Sequence, residues 1–329
     1  MIPRPTFDIN IGGREVRLGE RTLIMGALNV TPDSFSDGGR YLDPASAIEH
    51  GLDLVRQGAD WIDVGGESTR PGSQPISAEE ELQRVLPVIK GLRRKLRSTP
   101  ISIDTTKAEV AEKAVEAGAS ILNDISGLRF DPRLAEVARR HKIPLILMHI
   151  RGRPETMQTR PFVADIVQSV SHGLATSVHR ALSAGLRRSQ LILDPGLGFG
   201  KSRIQNFQIL SHLGKLRRFG LPILVGSSRK SFVQAVAGGA ALQGGTQQGR
   251  RGAKGATAYW PMLEMRAGAR HGVSLLSGDA AAVVAAVLAG AHIVRVHEVA
   301  AILPAVRIAD AVLEAGGQVG RSAGRQMGR

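Results

Sequence analysis

The chain has 329 residues, 43% of them hydrophobic, which is enough for one large core or two modest ones. It contains no cysteine, which excludes disulfides, thiol nucleophiles and thiolate metal sites and suits a reducing cytoplasm. The most apolar run, 280–291, is shorter than the roughly 20 residues that span a bilayer, and the N-terminus lacks a run of signal-peptide length. We therefore expect a soluble, cytoplasmic protein with no membrane partner.

The formal net charge is +14 at pH 7, and its distribution helps to interpret it. Segment 236–274 carries a net charge of +4 and the tail 315–329 carries +3, so half of the excess lies in two Gly-rich segments. A strongly basic surface can attract nucleic acid or small anions. Because the remaining charge is spread over the rest of the chain, we expect solvated basic loops rather than a nucleic-acid-binding surface.

The first predicted element is a β-hairpin that pairs 7–11 with 15–18 around Gly12 and Gly13. Predicted strands follow at 22–28, 61–64, 101–103, 121–122, 144–148, 191–193, 222–225 and 292–296. Predicted helices lie at 44–57, 78–96, 108–117, 132–141, 165–184, 204–219, 278–288 and 299–314, and several end at a glycine: Gly58, Gly118, Gly185, Gly220 and Gly290. Eight strand-then-helix units predict an α/β fold, a (β/α)8 TIM barrel with an N-terminal hairpin, and a doubly wound open sheet is the alternative.

Polar side chains occur where almost every predicted strand ends. The apolar strand 191–193, for example, runs into Asp194 before the chain turns on Pro195 and three glycines. A single such aspartate is equally well explained as a turn or helix cap. The carboxyl ends of barrel strands share one face, however, and that face would collect all of these strand-end residues: Asn29, Asp63, Asp104, Asn123, Asp124, Met148, His149, Asp194, Ser228, Arg229, Lys230, Arg295 and His297.

These side chains fall into two chemical groups. Asp104, Asn123 and Asp194 offer acceptors suited to a flat heterocycle with N–H donors. The cationic donors suit phosphate or carboxylate oxygens, and they are Arg70, Lys230, Arg295 and His297. We therefore expect a ligand that combines a heterocycle with an anionic group. The sequence has no Ser-His-Asp pattern and no obvious nucleophile.

Seven ordered motifs resemble those of the dihydropteroate synthase family. They are 28–39 (LNVTPDSFSDGG), 63–72 (DVGGESTRPG), 102–107 (SIDTTK), 122–125 (LNDI), 194–201 (DPGLGFGK), 228–231 (SRKS) and 295–297 (RVH). The similarity extends from about residue 23 to residue 313. It implies a transferase of folate synthesis that condenses 6-hydroxymethyl-7,8-dihydropterin diphosphate with p-aminobenzoate, a target of sulfonamides, and a homodimer.

The resemblance also implies residue roles. The pterin would be bound by Asp104, Asn123, Met148, Asp194 and Lys230, and the diphosphate by Asn29, Arg70, Arg295 and His297, with Mg²⁺ near Asn29. The p-aminobenzoate pocket would include Thr69, Arg70, Phe199 and Ser231. The residues expected to act in catalysis are Asp104, Lys230, Arg295 and His297. Asp63 and Arg229 would either touch substrate or orient a neighbour.

The sequence departs from this family between Lys230 and Arg295, which are 65 positions apart. One crossover helix with its turns needs roughly 25–35 residues. We expect a flexible insertion at 239–272, between strand 7 and helix 7, although Tyr259 and Trp260 within it suit a partner-binding arm instead. The family usually carries an arginine shortly before its seventh helix, and 275–278 (LLSG) lacks it.

The predicted organisation is thus a single barrel domain over 1–314 and a disordered basic tail over 315–329. Two other functions remain open from the sequence. A pterin-dependent methyltransferase would share the barrel and the pterin acceptors but would need no diphosphate site. A catalytically silent barrel would serve as a binding or scaffold protein.

Overall fold

A computed structural model describes residues 4–31, 43–70, 72–157, 163–239 and 270–326. It contains an eight-stranded parallel sheet formed by β3 (Leu23–Asn29), β4 (Trp61–Gly65), β5 (Ile101–Asp104), β6 (Ile121–Asp124), β7 (Leu145–Met148), β8 (Leu191–Asp194), β9 (Leu224–Gly226) and β10 (Ile293–Val296). The order across the sheet is β8-β7-β6-β5-β4-β3-β10-β9. A parallel bridge between Leu193 and Ile223 joins β8 to the chain just before β9. The sheet therefore closes, which confirms the (β/α)8 barrel over the open sheet.

Helices surround the barrel: α1 (Pro44–Arg56), α2 (Ala78–Lys95), α3 (Ala108–Glu116), α4 (Leu134–His141), α5 (Ile166–Ser183), α6 (Arg203–Ser211), α7 (Ser231–Ala237), α8 (Arg270–Leu288) and α9 (Val299–Gln326). The local sequence explains where many of these helices begin and end. The residues before α1, α2, α5 and α6 accept hydrogen bonds from first-turn N–H groups, and these caps are Asp43, Ser77, Asp165 and Ser202. The five glycines predicted to end helices all have positive φ.

Three elements differ from the sequence prediction. The helix expected over 204–219 divides into α6 and a 3-10 helix over Leu213–Phe219, because the chain leaves α geometry at His212. A short helix that the sequence did not predict, α7, follows β9 at once; the long connection comes after it and before α8, the seventh barrel helix, as predicted, and its residues 240–269 lie outside the described ranges. Helix α9 does not end at residue 314 but continues to Gln326, where the sequence predicted a disordered tail, since no proline follows Pro304 to interrupt it.

The N-terminal hairpin, β1 (Phe7–Ile11) and β2 (Arg14–Leu18), covers the bottom of the barrel. Its buried side chains Ile9, Ile11 and Leu18 pack with inward-facing strand residues: Leu23, Met25, Trp61, Ile121, Ile146, Ile192, Leu224 and Ile293. A larger apolar layer separates the strands from the helices. Because the lower end is filled with apolar side chains, the polar groups within the barrel are found at the upper rim, where the strands end. Within the described ranges, no helix is long and apolar enough to cross a membrane.

Candidate active site

The centre of the site is Asp63, which is fully buried on β4. Its Oδ2 accepts a 2.6 Å hydrogen bond from Arg295 Nε and a 3.0 Å hydrogen bond from Asn123 Nδ2. Arg295 Nη2 also donates to Asp104 Oδ2, at 3.3 Å. Four strands, β4, β5, β6 and β10, thereby bring their predicted residues together. Of the two roles expected for Asp63, the geometry matches the orientation of a neighbour, because Asp63 holds the guanidinium of Arg295.

The acceptor carboxyl groups of Asp104 and Asp194 are buried, and burial raises the pKa of each. Burial, and next to it the negative charge of Asp63, raises the pKa of Asp104 to about 8. Burial also raises the pKa of Asp194 to about 6, although the backbone N–H of Gly196 donates a 2.7 Å hydrogen bond to its Oδ1. The site therefore gathers carboxyl groups that are stabilised when a ligand supplies N–H donors.

Lys230 lies against an aromatic ring, close enough to Arg295, Asp194 and Asp104 for their charges to act on it. Its Nζ is 4.1 Å from the centroid of the Phe199 ring, a cation–π distance. Burial and the charge of Arg295 lower the pKa of Lys230 to about 8. A side chain at Gly198 would place its Cβ 3.1 Å from Lys230 Cδ, so glycine allows this close approach. Phe199 continues into a small apolar cluster with Met148 and other residues: Ile125, Phe130, Ile150 and Met157.

The cationic end of the site contains His297 and Asn29. Asn29 Nδ2 lies 3.3 Å from His297 Nε2, and His297 Nδ1 lies 3.4 Å from Ser228 Oγ. The Ser228 hydroxyl donates to Asp279 Oδ2 at 3.1 Å, so Nδ1 is the ring nitrogen that carries the proton and Nε2 accepts from Asn29. Burial, followed by the charges of Arg295 and other cations, lowers the pKa of His297 to about 3. An uncharged imidazole among cations leaves this end of the site able to receive an anion.

The residues expected to bind p-aminobenzoate are less closely grouped. Thr69 lines a cavity of about 400 Å³ together with Asp104, whereas Phe199 and Ser231 are not among the residues that line it. Ser231 is exposed at the first position of α7, and Arg70 is exposed next to residue 71, which lies outside the described ranges. The Arg70 charge is nevertheless close enough to contribute to the lowered pKa of His297.

Comparisons with known proteins agree with this geometry. The family model described as pterin binding enzyme matches residues 25–297. The chain belongs to the family of pterin-binding enzymes. It is 43% identical over 294 residues to the dihydropteroate synthase of Synechocystis sp., covering 89% of this chain and 91% of that one. It is 39% identical over 292 residues to the Escherichia coli K12 dihydropteroate synthase, covering 89% and 92%.

Solved structures of dihydropteroate synthases share the barrel. The Xanthomonas albilineans enzyme with 4-aminobenzoic acid superposes with a TM-score of 0.78 and 36% identity, covering 94% of this chain and 98% of that one. The Yersinia pestis enzyme in a sulfonamide drug complex also has a TM-score of 0.78 and 36% identity, covering 94% and 100%. The chain thus spans nearly the full length of these pterin-binding enzymes.

Sequence reasoning missed several residues of this pterin-binding site. Lys201 was noted only as part of a Gly-rich motif, but its Nζ is buried and donates to three carbonyl oxygens, those of His149, Gly196 and Phe199, at 2.9, 2.6 and 3.0 Å. It therefore holds the loop after β8 in place. Asp279, in the middle of α8, carries no signal in a local pattern, because its partners are about 50 residues away.

The surroundings of Asn29 offer few ligands for the magnesium ion that the family resemblance implies. Within the described ranges, no group of three or more His, Asp or Glu side chains is arranged to hold a metal. Because the Asn29 amide nitrogen faces His297, its amide oxygen is left as a ligand. Mg²⁺ prefers oxygen ligands and commonly takes most of them from phosphates and water. The Asn29 oxygen is thus compatible with Mg²⁺ only if other molecules supply most of the remaining ligands.

Proposed function

We propose that this pterin-binding enzyme catalyses the dihydropteroate synthase reaction. It condenses 6-hydroxymethyl-7,8-dihydropterin diphosphate with p-aminobenzoate, releasing diphosphate and 7,8-dihydropteroate for folate synthesis. The observation that carries this proposal is one rim on which buried acceptors and cations are joined through Asp63 and Arg295. Identity of about 40% to dihydropteroate synthases over most of the chain supports the same reaction.

The pterin ring binds in the acceptor half of the site. Asp104, Asn123 and Asp194 accept hydrogen bonds from its ring N–H and amino groups, and the Lys230 ammonium donates to its carbonyl side. Met148 packs in the same buried apolar cluster as Phe199, which supports a flat apolar wall for the ring. Deep burial strengthens these polar contacts, because little water competes with the ligand.

The diphosphate binds in the cationic half. Arg295 and His297 come from the end of β10 and Asn29 from the end of β3, two strands that pair in the sheet. Arg70 reaches the same anion from the loop after β4. Mg²⁺, when bound at Asn29, supplies positive charge to the leaving diphosphate. Arg295 remains oriented throughout, since Asp63 and Asp104 both accept from its guanidinium.

The reaction needs no protein nucleophile. The bond between the pterin methylene carbon and the diphosphate oxygen breaks, and the electron pair leaves with the diphosphate. Buried carboxylates at Asp104 and Asp194 stabilise the positive charge that spreads into the ring, while Lys230 and Arg295 stabilise the departing anion. His297 adds an N–H donor to the anion after Nε2 takes a proton from water, which the nearby negative charge favours. The neutral arylamine nitrogen then bonds to the methylene carbon and loses its proton to water.

The arylamine approaches from the loop side of the rim. Thr69, Arg70, Phe199 and Ser231 form its pocket in our proposal, and Lys230 Nζ lies 4.1 Å from the centroid of the Phe199 ring. The Xanthomonas albilineans and Yersinia pestis relatives, solved with 4-aminobenzoic acid and with a sulfonamide drug, support a sulfonamide-sensitive pocket here. Arg229, whose side chain pairs with Glu298, acts as a neighbour of Lys230 rather than as a ligand for substrate.

We also propose a cytoplasmic homodimer. The absence of cysteine supports a reducing compartment. The homodimer follows from the family resemblance, and sedimentation equilibrium at several protein concentrations tests it directly. A single species with the mass of one chain at all concentrations would contradict it.

The proposed reaction is tested by turnover of the purified chain. With both substrates and Mg²⁺, the protein should release diphosphate and form 7,8-dihydropteroate, and a sulfonamide should compete with p-aminobenzoate. Asp194→Asn should lose pterin affinity, whereas Asp165→Asn, which changes only the cap of α5, should retain it. A folded protein that releases no diphosphate would refute the proposal and favour a silent binding barrel.

A further inference from the structure

We infer that Asp279 on α8 is a positioning residue for the reaction proposed above: it sets the turn at Ser228, Arg229 and Lys230 and, through Ser228, the orientation of His297. The inference rests on the proposed function, because it assigns to Asp279 the placement of two residues that bind substrate. Asp279 lies on α8, which follows the long connection after α7, so it is far in the sequence from the turn that it contacts.

Asp279 is buried, with 3% of its surface exposed, yet it forms no ion pair among the described residues. Its Oδ2 accepts from the Arg229 backbone N–H at 2.8 Å and from the Ser228 hydroxyl at 3.1 Å, while its Oδ1 is buried without a partner in the described part of the chain. Burying a carboxylate costs free energy unless hydrogen bonds compensate. Here both compensating bonds come from the turn after β9.

The turn needs such support because of its backbone geometry. Arg229 has a φ of +57°, in the left-handed region, which is strained for a residue with a side chain. A charged acceptor for its N–H stabilises this conformation more than a neutral acceptor does. Lys230 follows immediately as the cap of α7, with its Nζ 4.1 Å from the Phe199 ring. The left-handed residue therefore directs Lys230 into the barrel.

The second bond of Asp279 fixes His297. Because the Ser228 hydroxyl donates to the carboxylate, its oxygen accepts from His297, whose Nδ1 and backbone N lie 3.4 and 3.5 Å away. The opposite ring nitrogen faces Asn29 at 3.3 Å. The imidazole is thus held at both ends, and its plane is set before a diphosphate arrives. Without Asp279 the Ser228 hydroxyl is free to rotate, and this constraint is lost.

The experiment compares Asp279→Ala, Asp279→Asn and Ser228→Ala with the wild-type chain and with Glu298→Gln. The last variant removes the partner of the Arg229 side chain without changing the turn, so it serves as the matched control. Asp279→Ala should lower kcat about 10- to 100-fold and raise KM for the pterin diphosphate several-fold. KM for p-aminobenzoate should rise less than KM for the pterin diphosphate, because Asp279 bonds the turn and Ser228 but not Phe199 or Ser231. Asp279→Asn, which keeps one acceptor oxygen, should recover part of the activity.

The double variant Ser228→Ala with Asp279→Ala separates positioning from general destabilisation. If both residues act through one hydrogen bond, the double variant should be no worse than the worse single variant. Additive losses, equal changes in both KM values, or full activity of Asp279→Ala would overturn the inference. Should Asp279→Ala fail to fold, the near-isosteric Asp279→Asn and Ser228→Ala carry the same comparison.

Failure of the proposed function gives a different result. In that case the wild-type chain itself forms no dihydropteroate, and crystal structures of wild-type and Asp279→Ala protein decide the inference. The wild-type structure should show Arg229 at positive φ with its N–H on Asp279. In the variant, the His297 ring should turn away from Asn29 or the Lys230 side chain should leave Phe199. An unchanged turn and unchanged side chains would overturn the inference.

Discussion

Replacing Asp63 with asparagine tests the central contact of the site. The substitution keeps the shape of the side chain but removes its negative charge. The bond from Asn123 Nδ2 becomes a neutral one, and Arg295 Nε, which stays charged, loses its ion pair with this side chain. Charge-assisted bonds are roughly twice as strong as neutral ones, so loss of the acceptor charge costs about 1 kcal/mol at each of the two contacts. The new amide nitrogen occupies the buried position of Oδ1, which has no partner among the described residues, and adds about 1 kcal/mol. Relief of repulsion between Asp63 and Asp104 offsets part of this, leaving a net loss of about 2 kcal/mol.

The more specific consequence concerns the pKa of Asp104. Burial, and next to it the charge of Asp63, raises this pKa to about 8. Since an ionised Asp104 is the better acceptor for pterin N–H groups, pterin affinity should rise with pH as Asp104 loses its proton. Without the Asp63 charge the pKa of Asp104 falls, so this rise should move to lower pH in Asp63→Asn.

The measurement is pterin affinity by titration calorimetry from pH 5.5 to 9, together with chemical denaturation followed by tryptophan fluorescence. The matched control is Asp60→Asn at the other end of β4, where Asp60 accepts from the Ile24 N–H and pairs with Arg21. That variant should lose stability without moving the pH dependence of affinity. If the affinity curve of Asp63→Asn stays in place or moves to higher pH, the electrostatic reasoning about the site is wrong.

Three further predictions concern the scaffold. Lys201→Met removes the Nζ donor from three buried carbonyl oxygens, of which that of Gly196 keeps the Phe199 N–H, so the free energy of unfolding should fall by about 2–3 kcal/mol in denaturation and pterin binding should weaken. A stable variant with wild-type affinity would contradict this. Gly196→Ala places a Cβ 2.1 Å from the His149 carbonyl oxygen and should abolish pterin binding. The control Gly13→Ala is also at positive φ, but no atom lies within 4 Å of its Cβ position. It should only lower the melting temperature by a few degrees. Burial lowers the pKa of His292 from 6.5 to about 4 in the folded state. Between these pH values the unfolded state binds more protons than the folded state. The free energy of unfolding should therefore fall as the pH is lowered from 6.5 to 4. The melting temperature of His292→Gln should fall less over that range than that of the wild-type chain, and an equal fall would exclude His292 as the cause.

Much of the barrel follows from local pattern. Short apolar runs that alternate with amphipathic helices predicted each strand within a few residues, because burial on both faces demands such runs. Helix ends were equally predictable, since a C-terminal residue at positive φ favours glycine and N-terminal N–H groups need an acceptor. The division at His212 was missed, because the apolar period of 204–219 continues through it.

The residue types of the site were also predictable, but their pairing was not. Reading each strand end identified Asp104, Asn123, Asp194 and Arg295 as neighbours on one rim. That Asp63 binds Arg295, 232 positions away, depends on the closure of the barrel between β3 and β10 and on the register of those strands. A local pattern records which way a side chain faces, not which partner meets it.

By itself, the sequence determined the order of strands and helices, the rim that carries the polar groups and the family to which the chain belongs. Only the tertiary structure decided that Asp63 holds Arg295, that Lys201 is a buried brace for the loop after β8, and that Asp279 reaches the turn at Arg229. The physical reason is that periodicity and turn chemistry act over a few residues. Buried charges, in contrast, must be satisfied by whatever groups the closed barrel brings within about 3 Å.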